Sequence, residues 1–600
     1  MKTISLITAA LALLPLTMQG AVSDYDIWNI DNYKGNTYTA ADGSFMTYKV
    51  PDDYPLGNKI PPKFNVSIND EAYIGLYEDV NWKNAQMVFG YFDMADNASV
   101  TVKIACRKKF EKFDIYPRNL DISDVTSQGG KSITFKINRP NQNLTLVLDD
   151  CFKEAEVLHL FCNPIEEGPA VANPEKGAYY DKDTKTYYFG PGYHHMPDEV
   201  TISGPRSIYI APGAVVNTRI HVNNLSKGRI YGHGILMMDR TFSGITVENL
   251  GNTGGTIEGI IVNKRQDSWN VTFDRCSNMT IKNLKILSGC YKSNDGVDMN
   301  YCSNITFDNC FIRANDDCVA IKGLAPEGST SASMPKQQDL HFTRMQLWSD
   351  SNNAFGIGAE TVASAYENIS FTDSDVIYDW DDIYNPEKLF YQSSLNICCM
   401  SGTYFDNIRY ENIRLHHSDR IIGLSYIDNF YFGSIVTKHT DPGDMKNIVF
   451  KDIISYTNSG KSNSNEVRFE AWYGDDGTPR KAIHDITFDN VQVDGKVLES
   501  FDDPHIIHNN REGDELIYDI KFINTSAGIT APGTDTLAVK LTGSCLIFPE
   551  GTSQWAVYNT LGTLVATGTE SETDTARFTP GIYLLQFTTN GVTANTKLKI

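Results

Sequence analysis

A short phrase of polar and β-prone residues recurs along the middle of this 600-residue chain. It reads SNMTIKNLKI from Ser277, SNITFDNCFI from Ser303, ENISFTDSDVI from Glu367, DNIRYENIRL from Asp406 and KNIVFKDIIS from Lys446. The first two copies begin 26 residues apart, and insertions separate the later ones. One such unit cannot bury its apolar side alone, so the units must stack as coils of a parallel β-solenoid. Equivalent residues of neighbouring coils then lie about 4.8 Å apart.

The sequence on either side of the repeats has a different β pattern. Between residues 71 and 162, runs such as QMVFGYF and NLTLVL alternate with polar turns about every ten residues, which predicts a β-sandwich. Runs such as QWAVYNTLG predict a second, smaller sandwich near the C-terminus. We therefore predict an all-β chain with a β-sandwich over 21–170, a parallel β-helix over 171–532 and a small β-sandwich over 533–600.

The N-terminal sequence MKTISLITAALALLPLTMQGAVSDYD has the organisation of a secretory signal peptide. Lys2 precedes an apolar run that ends near Leu16, and small residues follow at Gly20 and Ala21. We assign residues 1–20 to this peptide and find no other stretch that suits a transmembrane helix, so we expect a secreted or cell-surface protein. The formal net charge of −22 disfavours a nucleic-acid partner.

Acidic side chains are concentrated in one stretch of the repeats, SNDGVDMNYCSNITFDNCFIRANDDCVAIKG, which starts at Ser293. It contains Asp295, Asp298, Asp316 and Asp317. Asp295 and Asp316 are 21 residues apart, about one coil, so we expect them to stack on one face with Asp317 beside them. Mutual repulsion should raise the pKa of at least one carboxyl group, leaving a protonated acid beside an ionised base.

Such a pair suits hydrolysis of a glycosidic bond, because the acid protonates the leaving oxygen while the base activates water. The sequence has no CxxC or HxxxH pattern with metal-ligand spacing, so we predict no metal and no cofactor. The alternative is that the acids are solvated turn residues, since Asn-Asp and Asp-Gly are common turn dipeptides. The recurrence of NDG and NDD at one-coil spacing favours a site.

The segment SNDGVD followed by ANDDCVAIKG resembles the NTDGID and QDDCIAIKSG motifs of glycoside hydrolase family 28, the polygalacturonases. It also resembles the TDGPE and NDDAIKI motifs of family 49, the dextranases and isopullulanases. The resemblance spans about 187–526 and implies a right-handed parallel β-helix and an inverting mechanism. By position, Asp316 matches the general acid, and Asp295 and Asp317 match the pair that holds and activates water. Asn294 and Asn315 would orient them.

Departures from the family 28 pattern bear on the substrate. Asn353 stands where family 28 has the histidine of a GHG segment, and the RIK triplet that binds a galacturonate carboxylate is absent. Arg414 and Arg420 lie in the nearest substitutes, IRL and DRI. These features and the N-terminal sandwich are closer to family 49, whereas the interval between the acids is closer to family 28. We expect a polysaccharide substrate, with a neutral α-glucan favoured over a pectic chain.

Lys322, Asn353, Trp348 and Tyr291 are further candidates for sugar contact, together with the two asparagines beside the acids. Lys322 would reach a sugar hydroxyl or cover apolar surface, and the aromatic residues would be stacking platforms. Two rival functions use the same fold. A polysaccharide lyase would need a basic residue as its base and usually Ca²⁺, and a non-catalytic surface glycan-binding protein would bind without cleavage.

The C-terminal segment resembles the sorting domain of the type IX secretion pathway of Bacteroidetes, through VYNTLG and PGIYLL. That resemblance implies secretion machinery as a partner. The alternative is a carbohydrate-binding or spacer β-domain.

Overall fold

The computed structural model describes residues 30–55, 63–80, 86–152, 157–196, 199–239, 243–248, 254–288, 293–380, 392–427, 440–457, 465–474, 477–524, 540–542, 545–548, 552–559, 564–574, 582–589 and 592–599. β-strands dominate these segments. The described helices are short: the α-helix Ile30–Lys34 and the 3₁₀ turns Pro174–Lys176 and Ser331–Ser333. No helix in the described segments is long and apolar enough to cross a membrane.

The chain divides into two compact units, of which the first comprises residues 1–177, 189–194 and 211–215. One sheet of this unit has seven strands: Tyr38–Thr39, Phe45–Thr47, Leu76–Val80, Gln86–Met94, Phe113–Tyr116, Gln142–Leu148 and Val157–Pro164. The other has five: Phe64–Ile68, Ala72–Tyr73, Val100–Cys106, Ile122–Gln128 and Ser132–Ile137. Residues of both sheets, such as Val102 and Leu146, belong to one buried core, as in a β-sandwich.

The second unit contains most of a β-helix built from two long sheets. One sheet is entirely parallel and has eleven strands: Val200–Ser203, Ile220–Asn224, Ile245–Glu248, Val271–Asp274, Val297–Asn300, Val319–Gly323, Phe355–Thr361, Leu395–Cys399, Arg420–Tyr426, Glu466–Glu470 and Ile506–His508.

The other long sheet has 21 strands. They are Ala178–Asp181, Thr186–Phe189, Gly192–His195, Ser207–Ile210, Ala214–Asn217, Arg229–Tyr231, Ile235–Met238, Gly255–Glu258, Ile261–Lys264, Ser277–Lys282, Lys285–Ser288, Ser303–Asp308, Phe311–Ala314, Gln337–Thr343, Gln346–Ser349, Tyr366–Asp379, Tyr404–Leu415, Asp444–Ser455, Ile483–Val493, Lys496–Val497 and Ile517–Ile523.

The repeated phrases occupy equivalent positions in adjacent coils. Ser277 pairs with Ser303, and Met279 pairs with Ile305, in parallel register. Inside the helix, aromatic rings stack from coil to coil, as Phe307 does on Phe342 with ring centroids 4.8 Å apart. The predicted fold class, an all-β chain with a long parallel β-helix, is therefore confirmed.

Asparagine ladders stabilise the corners of the helix. The corner residue adopts a left-handed conformation in four successive coils, with φ of 58° at Asn278, 52° at Asn304, 55° at Asp339 and 53° at Asn368. Asparagine tolerates this conformation better than other residues with a Cβ atom. The Asn304 amide donates a hydrogen bond of 2.6 Å to the Asn278 side-chain oxygen. The recurring Asn of each phrase thus serves both the turn and the contact between coils.

The C-terminal segment forms two small antiparallel sheets. One consists of Thr552–Asn559, Leu564–Gly568, Ile582–Thr589 and Val592–Lys599, and the other of Lys540–Thr542, Cys545–Ile547 and Glu572–Asp574. Trp555 and Leu585 of the first sheet share a core with Leu546 of the second. The predicted signal peptide and the predicted boundary at residue 533 lie outside the described residues.

Candidate active site

The predicted acids lie in the turns that precede two adjacent strands of the eleven-stranded sheet. Asp295 precedes Val297–Asn300, and Asp316 and Asp317 precede Val319–Gly323. The hydrogen-bond ladder continues into these turns, since the Gly296 amide donates to the Asp317 carbonyl at 2.8 Å. The turns therefore stack in the same order as the strands.

The prediction that Asp316 stacks directly on Asp295 is wrong by one residue. Val297 pairs with Val319, so this coil is 22 residues long at the strand. By this register Asp317 is the coil equivalent of Asp295, and Asp316 is the equivalent of Asn294. The sequence interval of 21 residues between two aspartates concealed this offset, because Asp316 and Asp317 are adjacent.

Asp316 is half-buried at the turn. Its Oδ1 accepts hydrogen bonds from the Asn352 side-chain amide and, at 3.1 Å, from the Asp317 backbone amide. Burial raises the pKa of Asp316 to about 7, and the negative charge of Asp295 contributes, while the Asn352 amide lowers it. Asp316 is thus poised to be partly protonated near neutral pH.

Asp317 is buried and is held by the next coil. Its Oδ1 accepts hydrogen bonds from the Asn353 backbone amide at 3.0 Å and from the Asn353 side-chain amide at 2.7 Å. The Asn353 oxygen in turn accepts from the Ser393 backbone at 3.0 Å and from the Asn396 amide at 3.0 Å. Burial, followed by the charges of Asp295 and Asp316, raises the pKa of Asp317 well above its ordinary value. Asn353 therefore orients an acid.

Lys322 supplies the positive charge within this acidic cluster. Its Nζ lies 2.8 Å from Asp295 Oδ2 and 3.1 Å from Asp298 Oδ1. Burial alone would lower the pKa of Lys322, but Asp295 and Asp298 outweigh it and hold that pKa well above its ordinary value. Lys322 therefore stays charged and pairs with both carboxyl groups.

The sequence analysis assigned no role to two charged residues of this site. Asp298 is only 2% exposed, and burial, with Asp295 adding to it, raises its pKa well above the ordinary value. Lys264 is fully buried, donates to the Trp269 carbonyl at 2.9 Å, and has a pKa lowered by burial to about 7. Each is a charged residue in a short strand with two apolar residues, VDMN and IVNK, and this is the sequence signal that could have identified both.

Two predicted sugar-contacting residues are incompatible with that role. Asn294 is fully buried, and its amide donates to the Gln266 carbonyl at 3.1 Å and the Ser268 carbonyl at 2.7 Å, so it stabilises a turn. Trp348 is also fully buried, and stacks on Tyr378 with ring centroids 5.0 Å apart. Both side chains lack a surface that a sugar could touch.

The remaining predicted residues have separate outcomes. Asn315 is buried beside the acids, and its carbonyl accepts a hydrogen bond from the Ser351 hydroxyl. Tyr291 lies outside the described residues. Arg414, a nearest substitute for the missing RIK arginine, donates two hydrogen bonds of 2.7 Å to Asp375, so its guanidinium is already engaged. Across the described ranges, no three His, Cys, Asp or Glu side chains are grouped so as to hold a metal ion.

Comparison with known proteins associates this site with sugar-cleaving enzymes. The family described as glycosyl hydrolases family 28 matches residues 241–329, a segment that includes Asp295, Asp298, Asp316 and Asp317. A curated relative, a "Probable polygalacturonase" from Vitis vinifera, is 32% identical over 94 residues, which are 16% of this chain and 19% of that protein. The match therefore spans about a fifth of the curated relative.

The structural comparison extends over most of the chain. Dex49A from Penicillium minioluteum has a TM-score of 0.59 with 13% identity, and the likeness covers 81% of this chain and 100% of that one. This likeness shows a shared fold. A family 28 exopolygalacturonase from Yersinia enterocolitica has 9% identity and a TM-score of 0.36, covering 74% of this chain and 98% of that one. The sequence match thus associates the acid-bearing segment with glycosyl hydrolases family 28, and the structural likeness shows the fold.

Proposed function

We propose that this protein is a glycoside hydrolase that cleaves a polysaccharide with inversion at the anomeric carbon. The observation that carries the proposal is the set of three carboxyl groups, Asp295, Asp316 and Asp317, placed at stacked turns of the β-helix around one buried lysine. They place a proton donor, Asp316, beside two further carboxyl groups, and acid–base hydrolysis of a glycoside requires such a pairing of carboxyl groups.

Asp316 is the general acid. Its pKa of about 7 leaves a substantial protonated fraction at neutral pH, and its partial exposure gives it access to a leaving oxygen. Asp295 and Asp317, one coil apart, hold and activate the attacking water. Lys322 donates a hydrogen bond of 2.8 Å to Asp295 and so fixes its position, and Asn353 fixes the orientation of Asp317.

A neutral α-glucan is the favoured substrate. A galacturonan would need a basic group for each bound carboxylate, but Arg414 is engaged by Asp375. Arg468 likewise contacts Glu466 and, at 2.9 Å, Glu470. The acidic composition supports the same choice, because a net negative charge disfavours a polyanionic substrate.

Pectic hydrolysis is the second candidate. The family 28 match and the identity to a probable polygalacturonase both fall on the acid-bearing coils, at residues 241–329 in the first case. These coils carry the acids that would act on either substrate. The two sequence matches therefore identify the acids but not the residues that contact the substituents of the sugar.

Release of reducing ends from dextran, pullulan, polygalacturonate and rhamnogalacturonan tests this proposal. We expect hydrolysis of dextran or pullulan, and loss of about 10²–10⁴-fold in kcat for Asp316→Asn. The variant's circular dichroism and melting curve would establish that it is folded. Activity on polygalacturonate alone would select the pectic alternative, and full activity in a folded Asp316→Asn variant would contradict the assignment of the acid.

The same assay separates the rival functions. A polysaccharide lyase would lose activity with a chelator and would release unsaturated products that absorb ultraviolet light. A glycan-binding protein would bind the polysaccharide without releasing reducing ends. We expect chelator-resistant activity with saturated products.

We also propose export of the protein, on the basis of the signal-peptide pattern in residues 1–20 and the C-terminal resemblance to a sorting domain. Fractionation of the source cells tests this. Full-length protein that keeps residues 1–20 in the cytoplasm would contradict it.

A further inference from the structure

A cavity of about 440 Å³ lies beside the acidic cluster. Strands Val271–Asp274, Val297–Asn300 and Val319–Gly323 contribute to its wall, together with residues 324–326. Its volume is within the range of roughly 300–1,000 Å³ that is usual for small-molecule sites. The proposed mechanism uses one lining residue, Lys322, and leaves the rest of the cavity without a role.

Trp269 gives this cavity an aromatic wall. Its side chain is half-buried, and the Lys322 ammonium lies 4.5 Å from its ring centroid. The carbonyl oxygen of Trp269 accepts a hydrogen bond from Lys264 at 2.9 Å, which fixes the backbone at this point. A held indole ring is a suitable surface for the apolar C–H face of a pyranose.

Asp298 provides acceptor capacity at the same wall. Lys322 Nζ is 3.1 Å from its Oδ1, an ion-pair distance, but neither carboxyl oxygen takes part in a hydrogen bond of good geometry within the described structure. Buried polar atoms without such bonds are costly, so a bound group that completes them gains affinity. A sugar hydroxyl has the size and the donor to do so.

The charges that line the cavity are balanced. Arg275 Nη1 contacts Asp274 Oδ2 at 2.9 Å, and Lys322 contacts Asp298. Asp274 is also held by the Asn300 amide, which donates to its Oδ1 at 2.8 Å. Both basic residues of the lining are therefore already paired with carboxylates, which favours an uncharged ligand over an anionic one.

We infer that this cavity is a subsite for a neutral pyranose unit, with Trp269 as its stacking surface and Asp298 as the acceptor for a ring hydroxyl. The inference rests on the proposed hydrolysis for the identity of the ligand as part of the substrate. Asp274 contributes to the preference for a neutral sugar, because it pairs with Arg275, the cation that a uronate carboxylate would otherwise bind.

Calorimetric titration of the full-length Asp316→Asn protein tests the subsite, because binding is then measured without turnover. The probes are short dextran oligosaccharides and an oligogalacturonate of equal length. We expect preference for the neutral probe, and affinity about tenfold weaker when Trp269→Ala or Asp298→Ala is added. The matched control is Tyr404→Ala, which removes a 43% exposed aromatic ring outside the cavity and should leave affinity unchanged.

Melting curves would show that each variant is folded. A folded Trp269→Ala protein with unchanged affinity would overturn the subsite, as would tighter binding of the oligogalacturonate or failure to bind either probe. Failure of the two proposals is distinguishable. Binding that depends on Trp269, without hydrolysis by the wild-type protein, would leave the subsite standing and reject the hydrolase. If the wild-type protein and the Trp269→Ala variant hydrolyse the polysaccharide with the same KM, the subsite is rejected and the hydrolase stands.

Discussion

Asp317 is the coil equivalent of Asp295, and the backbone amide of Gly296 donates to the Asp317 carbonyl at 2.8 Å. Two acids are therefore aligned along the β-helix, while Asp316 is offset by one residue toward the Asn352 amide. The offset gives the three carboxyl groups different surroundings in spite of their closeness. These surroundings allow Asp316 to carry a proton near neutral pH, because its pKa is raised to about 7.

The first prediction concerns the pH dependence of kcat. A general acid must be protonated, so activity should fall as pH rises through the pKa of Asp316, about 7. The hydrogen bond from Asn352 lowers that pKa, so Asn352→Ala should move the alkaline limb of the kcat profile to higher pH. Kinetics from pH 4 to 10 measure the shift. An alkaline limb that moves to lower pH would contradict the role of Asn352.

The second prediction concerns stability at different pH values. An ordinary aspartate has a pKa near 3.9, and the folded protein raises that of Asp316 to about 7. Between these two pH values the folded state keeps the proton on Asp316, whereas the unfolded state has released it. The contribution of this proton to the free energy of unfolding is therefore fully present below about pH 4 and is lost as pH rises through about 7. Asp316→Asn cannot ionise, so its melting temperature should exceed that of wild type at pH 8 and approach it at pH 4. A difference independent of pH would contradict the raised pKa.

The third prediction concerns Lys322, which pairs with Asp295 and Asp298 in the protein interior. Lys322→Met should lower the free energy of unfolding at pH 7 by about 3–5 kcal/mol, because two buried carboxyl groups lose their cation. The loss should shrink at acid pH, because burial raises the pKa of Asp298 and the protonated carboxyl group no longer needs the cation. Lys336→Met is the matched control, since Lys336 contacts Glu367 at 2.8 Å on the surface and should cost at most about 1 kcal/mol. Equal losses in urea unfolding would contradict the account.

The fourth prediction concerns the asparagine ladder. Asn304 has φ of 52° and bonds to Asn278. Asn304→Gly loses the ladder bond but tolerates the left-handed conformation, whereas Asn304→Ala loses both. The alanine variant should therefore be less stable than the glycine variant by about 1 kcal/mol in urea unfolding. A glycine variant less stable than the alanine variant would indicate that backbone strain does not govern this corner.

The recurring phrases predicted the β-helix well because their Asn corners and alternating apolar residues follow from the geometry of each coil. Ser277 and Ser303, which begin two phrases, are directly paired. The register within the turn was harder to predict. A shift of one residue between Asp316 and Asp317 leaves the strand pattern unchanged, so only the pairing of Val297 with Val319 resolves it.

The roles of individual side chains depended on burial, which a motif does not encode. Trp348 and Asn294 fit a sugar-binding motif by type, but packing from neighbouring coils encloses both. Lys322 was predicted as a sugar contact, and its pairing with Asp295 and Asp298 gives it an electrostatic role as well. Asp298 was overlooked because its partner Lys322 is distant in sequence, and Lys264 because a motif does not show that its side chain is buried.

The proton NMR spectrum of the fresh hydrolysate, recorded before mutarotation, tests the central claim most directly. Acid and base carboxyl groups of an inverting enzyme stand roughly 6.5–9.5 Å apart, with water between them, whereas a retaining enzyme brings them to about 5–5.5 Å. Our account predicts that Asp316 protonates the leaving oxygen while water attacks from the opposite face, so an α-linked substrate should first yield a β-configured reducing end. A first product of unchanged configuration would contradict it.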